Sequence, residues 1–353
     1  MLLSLVFPVF DEEAAVPLLL AELAPVLSAL DCDHELIFVD DGSRDATRAL
    51  LAEAAAHDPR IKVLGFSRNF GHQAAITAGL DFASGDAAVV MDADLQDPPE
   101  LLPEMLALYR QGYDVVSAQR ASREGEGVFK RATAALFYGL MRRSVDSRLQ
   151  PQVGDFRLFS RAAVSAIRGL REQHRFLRGM VAWLGLREAI VPFRRPPRVV
   201  GTTKYPAWKM ARFAWTAISS FSALPLKLSL AGGLCLTAFG LAYSAWVLYE
   251  ALVLKTTVRG WSSLVCLQLL FSGAVLTALG LVGDYVARIY EEVKGRPLYV
   301  VTEAVNLAPG VSPPVRGMRL SGRPLCDACA RGAEVPARPY LMKATSNGEG
   351  ELR

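Results

Sequence analysis

Val89-Val90-Met91-Asp92-Ala93-Asp94-Leu95-Gln96-Asp97-Pro98-Pro99-Glu100 decides the fold. An apolar run leads straight into three acids. Its first half reads as a strand buried on both faces, hence nearly continuous in hydrophobicity. Its second half reads as the loop at that strand's carboxyl end, where open α/β sheets bind their ligands. Asp97 is placed to cap the next helix, with Pro98 at the first helical position and Glu100 at N3. Asp92 and Asp94, at i and i+2, can share a hard divalent cation such as Mg²⁺ or Mn²⁺, which takes oxygen ligands. The alternative is that the two acids only solvate a loop.

The 353 residues suffice for about two domains. Hydrophobic residues make up 52% and the mean hydropathy is +0.24, which predicts a membrane part. A net charge of +4 without a long basic run argues against nucleic acid as a partner. The five cysteines form no disulfide framework, which fits a reducing compartment. Cys326 and Cys329 form a single CxxC with no second pair and no neighbouring His, too few ligands for structural zinc. Met1 to Phe10 lacks a basic leader and runs into Asp11-Glu12-Glu13, so it reads as a strand and not a signal peptide.

Apolar runs recur at 3–9, 35–39, 61–66 and 114–118, and helical stretches at 14–30, 45–57, 73–82 and 101–110 lie between and around them. Such alternation predicts a doubly wound parallel sheet with its strand ends on one edge. Shorter strands are expected at 154–159 and 189–193, with a helix from Arg161.

From Arg120 onward, cations mix with apolar residues, as in an interfacial helix. Between Arg194 and Trp215 they mix with Tyr205, Trp208 and Phe213, a pattern suited to a membrane interface, though a solvated basic face has the same composition. Residues 228–249 and 261–283 carry no charge, and each is long enough to cross a hydrocarbon core, which needs about 20 residues. A short link makes them a hairpin. Lys and Arg are denser at its outer ends than in the link, which places the N-terminal domain in the cytoplasm.

Several further stretches carry a resemblance. Pro8-Val9-Phe10-Asp11-Glu12, Asp40-Asp41-Gly42-Ser43, Arg68-Asn69-Phe70-Gly71, the acidic stretch above, Gly154-Asp155-Phe156-Arg157-Leu158, Arg175-Phe176-Leu177-Arg178-Gly179, Gly201-Thr202-Thr203-Lys204-Tyr205 and Gly283-Asp284-Tyr285 follow one another in order. From about Leu3 to Val301 the chain resembles the polyprenyl-phosphate glycosyltransferases, inverting enzymes of the GT-A fold. The resemblance implies an α/β, GT-A (Rossmann-like) nucleotide-sugar domain over 1–200. It implies a juxtamembrane amphipathic segment over 201–225, two transmembrane helices within 226–290 and a strand-like segment over 291–306. Residues 307–353, rich in Pro, Gly, Arg and Ala, read as a flexible tail outside the resemblance.

The implied reaction moves one sugar from a nucleotide-sugar, UDP in preference to GDP, to a polyprenyl phosphate such as undecaprenyl phosphate. The implied donor site comprises Pro8, Asp11, Glu12, Asp40, Asp41, Asp92, Ala93 and Gln96. Asp92 and Asp94 would hold Mg²⁺ or Mn²⁺ against the leaving diphosphate. Arg120, Arg131, Arg157, Arg198 and Lys204 could hold the acceptor phosphate, or equally well lipid headgroups. Asp155 is a catalytic base on the resemblance. On physical grounds it is an orienting group that keeps Arg157 and the acceptor phosphate in line, because a phosphate acceptor needs no base, and the plain alternative is a salt bridge to Arg157.

The implied location is the inner (plasma) membrane, multi-pass, as a homo-oligomer such as a tetramer. Leu298 to Val301 could add to a neighbour's sheet edge. Two other functions remain open. A processive polysaccharide synthase would carry a Gln-x-x-Arg-Trp motif, which Gln173-His174-Arg175-Phe176 does not supply. A non-enzymatic transporter or nucleotide-sensing scaffold would be expected to place polar residues within its spans. The sugar itself is not written in the sequence.

Overall fold

The computed structural model describes residues 1–120, 153–193, 224–249, 253, 260–307 and 317–319. In chain order, the first half comprises β1 (Leu2–Val9), α1 (Ala15–Ala29), β2 (Asp33–Asp40), α2 (Thr47–His57), β3 (Ile61–Phe66), α3 (His72–Phe82), β4 (Ala87–Val90), α4 (Leu102–Arg110) and β5 (Val115–Arg120). The second half comprises β6 (Val153–Ser160), α5 (Arg161–Gly169), α6 (Leu177–Leu184), β7 (Glu188–Phe193), α7 (Leu224–Tyr249), α8 (Trp261–Val293), β8 (Tyr299–Val305) and β9 (Gly317–Arg319).

The strands form one sheet in the order β7-β5-β6-β4-β1-β2-β3-β8-β9. β4, β1, β2 and β3 are mutually parallel, as their alternation with helices predicts. The sheet as a whole is mixed and not all-parallel. β6 runs antiparallel between β4 and β5, and β8 runs antiparallel to β3. β6 is turned round because it ends where β4 and β5 begin: Ser160 N–H donates to the Asp114 carbonyl at 2.8 Å. In that register Val90 faces Arg157, so two steps further on Asp155 comes level with Asp92.

Both sheet faces are covered. On β1, Leu3, Leu5, Phe7 and Val9 pack on one side with Val16, Leu19 and Leu23 of α1, while Val6 packs on the other with α3. Each fully buried apolar side chain of this kind contributes about 1.5–3 kcal/mol. α3 lies against β1 so closely that a Cβ on Gly79 would stand 2.1 Å from Val6 Cγ1. That approach fixes the height at which the N-terminus of α3 meets the sheet's carboxyl edge.

β8 corrects the expectation of strand exchange with a neighbour, since it pairs with β3 of its own chain. Tyr299 is fully buried there and donates its hydroxyl to Asp81 Oδ2 at 2.7 Å. The seam exists because Tyr299 stacks on Phe66 with ring centroids 5.3 Å apart.

Among the described residues, Phe271–Val293 of α8 is the one stretch long and apolar enough to cross a membrane. In α7 the apolar stretch is shorter, Leu228–Tyr243. The two helices touch where Phe271 Cζ lies 3.1 Å from the position a Cβ on Gly240 would take. Leu230, Leu234, Phe239 and Leu241 of α7, and Val275, Leu276 and Leu279 of α8, are exposed. The basic–aromatic segment 194–223, with Arg198 and Lys204, lies outside the described residues, as do Arg131 and the CxxC of the tail.

Candidate active site

The first two loops at the carboxyl edge are fastened to each other. Asp11, at φ 53°, donates its N–H to Ser43 Oγ (3.0 Å) and accepts from Arg44 N–H (2.8 Å). Glu12 N–H donates to Thr47 Oγ1 at 2.8 Å. Asp45 Oδ1 accepts from Thr47 N–H at 3.0 Å just ahead of α2, whose N-cap position is Ala46. Asp40 is fully buried, accepting from Ser43 N–H (2.9 Å) and Arg48 Nε (2.7 Å). Asp41 reaches the third loop and accepts from Phe70 and Gly71 N–H, at 2.6 and 2.9 Å. Burial outweighs those bonds and pushes its carboxyl up to about 6. Gly42, at φ 76°, must be glycine: a Cβ there would meet the Arg68 carbonyl carbon at 2.7 Å. Two of the expected donor-site acids, Asp40 and Asp41, thus spend their oxygens on the loops that shape a cavity of about 290 Å³. Phe10, Ser43, Arg44, Arg48, Arg68 and Asn69 line it. Pro8 lies below it within β1, opposite Val39.

The acidic loop follows β4. Asp97 does not cap the helix, because the first helical turn starts only at Pro99, with extended Pro98 at its N-cap position, and α4 at Leu102. Its Oδ2 instead accepts from Asp92 N–H at 3.1 Å, closing the loop on itself. Gln96 N–H donates to Asp94 Oδ1 at 3.2 Å, Leu95 sits at φ 58°, and Ala93 and Gln96 are buried. Burial raises Asp92 and pushes Asp97 to about 7, with their mutual repulsion adding to the rise in Asp97. Asp92 Oδ1 is buried without a hydrogen bond. A buried carboxylate oxygen in that state, inside a cluster of like charge, suits a cation. Among the described residues no three His, Cys, Asp or Glu side chains converge as ligands. Asp92 and Asp94 offer carboxylate oxygens of the kind Mg²⁺ or Mn²⁺ takes when water and substrate phosphate supply the other positions.

Asp155 comes from β6 and closes the site from the other side. The sequence predicts Arg157 as its partner; the partner is Arg178, with Nε 3.1 Å from Oδ1 and Nη2 3.4 Å from Oδ2. Arg157 is itself buried, bonded through Nε to the Gly154 carbonyl (3.2 Å), with Nη1 3.7 Å from Glu188 Oε1. Gln73 Nε2 stands 3.4 Å from Asp155 Oδ2. His72 Nε2 lies between the two acids, 3.5 Å from Asp92 Oδ1 and 3.6 Å from Asp155 Oδ2. Burial alone would lower the imidazole, but Asp155 and Asp92 prevail and lift it to about 9. Burial would raise Asp155, yet the Arg178 guanidinium and His72 hold it far below the usual carboxylate range. Of the cations expected at the acceptor, Arg120 passes over Gly154, with Nη2 3.3 Å from where a Cβ there would sit. Its Nε is a buried donor with no hydrogen-bond partner among the described residues.

His72, Gln73 and Arg178 are site residues that sequence reasoning missed. The signal for the first two is a polar pair directly after Gly71, ahead of the apolar Ala74-Ala75-Ile76 of the helix they open.

A family model described as glycosyl transferase family 2 matches residues 4–168. Across 304 residues, 86% of this chain and 98% of the relative, the sequence is 39% identical to the SfII prophage-derived bactoprenol glucosyl transferase of Shigella flexneri. The chain belongs to glycosyl transferase family 2. It is a glycosyltransferase. A second family member, the uncharacterized glycosyltransferase YkcC of Bacillus subtilis (strain 168), is 45% identical over 304 residues, covering 86% of this chain and 94% of its own. Among solved structures, glucosyl-3-phosphoglycerate synthase from Mycobacterium tuberculosis overlaps at 21% identity with a TM-score of 0.46, covering 61% of this chain and 77% of that one.

Proposed function

We propose that this glycosyltransferase moves a single sugar, with inversion, from a UDP-sugar to a polyprenyl phosphate at the cytoplasmic face of the inner (plasma) membrane. One observation carries the reading. His72 and Arg178 bring Asp92 and Asp155 together at the carboxyl edge, with Asp94 in the same loop as Asp92, in a chain that matches a bactoprenol glucosyl transferase over 98% of that relative.

In this reading the cavity beside Phe10, Arg44 and Arg68 takes the nucleoside, and the sugar extends toward Asp155. Asp92 and Asp94 would hold Mg²⁺ or Mn²⁺, which when bound offsets charge on the departing diphosphate. Arg178 and Arg120 supply guanidinium donors suited to a phosphate. An acceptor phosphate oxygen attacks the anomeric carbon, the bond from that carbon to the diphosphate breaks, and UDP leaves from the opposite face. Asp155 orients Arg178 and takes no proton, since a phosphate monoester with a second pKa of about 6 ionises unaided.

The membrane part belongs to the same proposal. α7 and α8 form a two-helix hairpin, supported by their contact at Gly240 and Phe271 and by their exposed apolar flanks. The reading includes a homo-oligomer, for which β8, seated in its own sheet, is not the seam.

Purified protein in lipid vesicles, given a panel of UDP-sugars and polyprenyl phosphate, tests the proposal. The expected product is a lipid carrying one sugar. A growing polymer would identify a processive synthase, and transfer only to soluble acceptors would refute the membrane reading.

A further inference from the structure

A second chain of polar contacts leads away from the acidic loop, and the transfer chemistry above does not use it. It begins at the C-terminal end of α8. Glu292 Oε1 accepts from Gln173 N–H at 2.5 Å, and Gln173 Nε2 donates to the Arg296 carbonyl at 2.6 Å. His174 Nε2 lies 2.8 Å from Glu291 Oε2. Gln173 and His174 belong to the segment joining α5 to α6.

That segment runs beside α3 and is fastened at both its ends. At the C-terminal end of α3, Arg171 makes a two-point pair with Asp81, at 2.8 and 2.7 Å. Tyr299 completes this anchor through its own bond to Asp81. At the N-terminal end, Leu177 N–H donates to Gln73 Oε1 at 3.0 Å. An N–H can bond only the oxygen of that amide, so the bond turns the Gln73 NH₂ toward Asp155. Arg178, the next residue, makes the two-point contact with Asp155. Two of the groups that orient the Asp155 carboxylate, Gln73 and Arg178, are thus set by a segment whose middle is bonded to the end of α8.

We propose that α8 positions Asp155 through this segment, so that Glu292, which lies away from the acidic loop, is a positioning residue for sugar transfer. The proposal rests on transfer to a membrane-held acceptor as read above. With α8 seated in a bilayer, the contact at Glu292 makes the orientation of Asp155 depend on how the soluble domain sits on its membrane helix.

The test compares Glu292→Ala, Glu292→Gln and Gln173→Ala in the full-length protein, with polyprenyl phosphate in phosphatidylglycerol vesicles. Glu292→Ala should lower kcat about tenfold to a hundredfold, the scale of a small misplacement at the reacting centre. Its KM for the UDP-sugar and its affinity for UDP should stay at wild-type values. Glu292→Gln retains a side-chain oxygen for the Gln173 N–H and should restore most of the rate. Gln173→Ala removes the bond to Arg296 and should shift kcat in the same direction. Amide exchange across residues 177–182 should quicken in Glu292→Ala. Wild-type kcat in Glu292→Ala or in Gln173→Ala would overturn the proposal. So would a loss of UDP affinity in step with kcat, or equal damage from the Gln and Ala changes. If the wild-type protein gives no lipid-linked sugar, the functional reading fails, and the exchange measurement decides the linkage alone: unchanged exchange at 177–182 overturns it.

Discussion

Arg178 holds Asp155 by both carboxylate oxygens, across the 22 residues that separate them in sequence, and the pair is completed by His72 at 3.6 Å. A carboxylate held ionised this firmly is a poor proton acceptor. If the acceptor phosphate ionises by itself, the rising limb of kcat/KM near pH 6 should persist in Asp155→Asn, at lower height. Arg178→Ala should lower kcat/KM by about a hundredfold without moving that limb. A limb that vanishes in Asp155→Asn would make Asp155 the base.

The unbonded Asp92 Oδ1 gives a test of the metal. Asp94→Ala should reduce turnover by at least about a hundredfold. It should also weaken Mn²⁺ binding, read by electron paramagnetic resonance in the presence of UDP, while the circular dichroism spectrum stays unchanged. Undiminished wild-type activity in excess chelator would contradict the assignment of Asp92 and Asp94.

At the opposite edge of the sheet, Glu35 is bonded to Ser4 Oγ (2.5 Å), to Ser84 Oγ (2.6 Å) and to Lys62. Burial pushes its carboxyl up, but the bonds from Lys62, Ser4 and Ser84 outweigh it and hold the group below its usual range. A carboxyl depressed in the folded state contributes stability that is fully present above its unfolded pKa of about 4.3. That contribution is lost as pH falls through the lower folded value. Glu35→Gln should therefore cost on the order of 2 kcal/mol at pH 7. The gap in Tm from wild type should narrow in acid. A gap that is the same at pH 7 and in acid would mean that packing, and not charge, sets the cost.

For the membrane, residues 228–249 and 261–283 should resist protease in sealed inverted vesicles, while sites in the first 193 residues should be cut. Protection of the N-terminal domain in that orientation would reverse the proposed topology.

β1 to β4 were legible in the sequence because each is an apolar run that ends in polar loop residues, and burial on both faces demands such runs. The direction of β6 was not, since an apolar run reads the same whichever way it lies in a sheet. The reversal matters, because it alone brings Asp155 level with Asp92. The place of Asp92 and Asp94 in the loop after β4 was legible from the apolar run that leads into them. The Asp155–Arg178 pair was not: their meeting depends on how α6 packs, and the nearer cation, Arg157, is drawn off by Glu188. Asp97 misled because the helix starts later than the capping pattern implies, with Pro98 still extended at the N-cap position.

β8 lies beyond α8 in the chain and pairs with β3, near its beginning. A ribosome makes β3 early and Tyr299 late, so the outer edge of β3 and the socket at Asp81 wait, without their partner strand, while α7 and α8 emerge. The sheet is thus completed only after both α7 and α8 exist. Nascent chains stopped short of Tyr299 carry an open strand edge, the kind of surface that chaperones and proteases recognise.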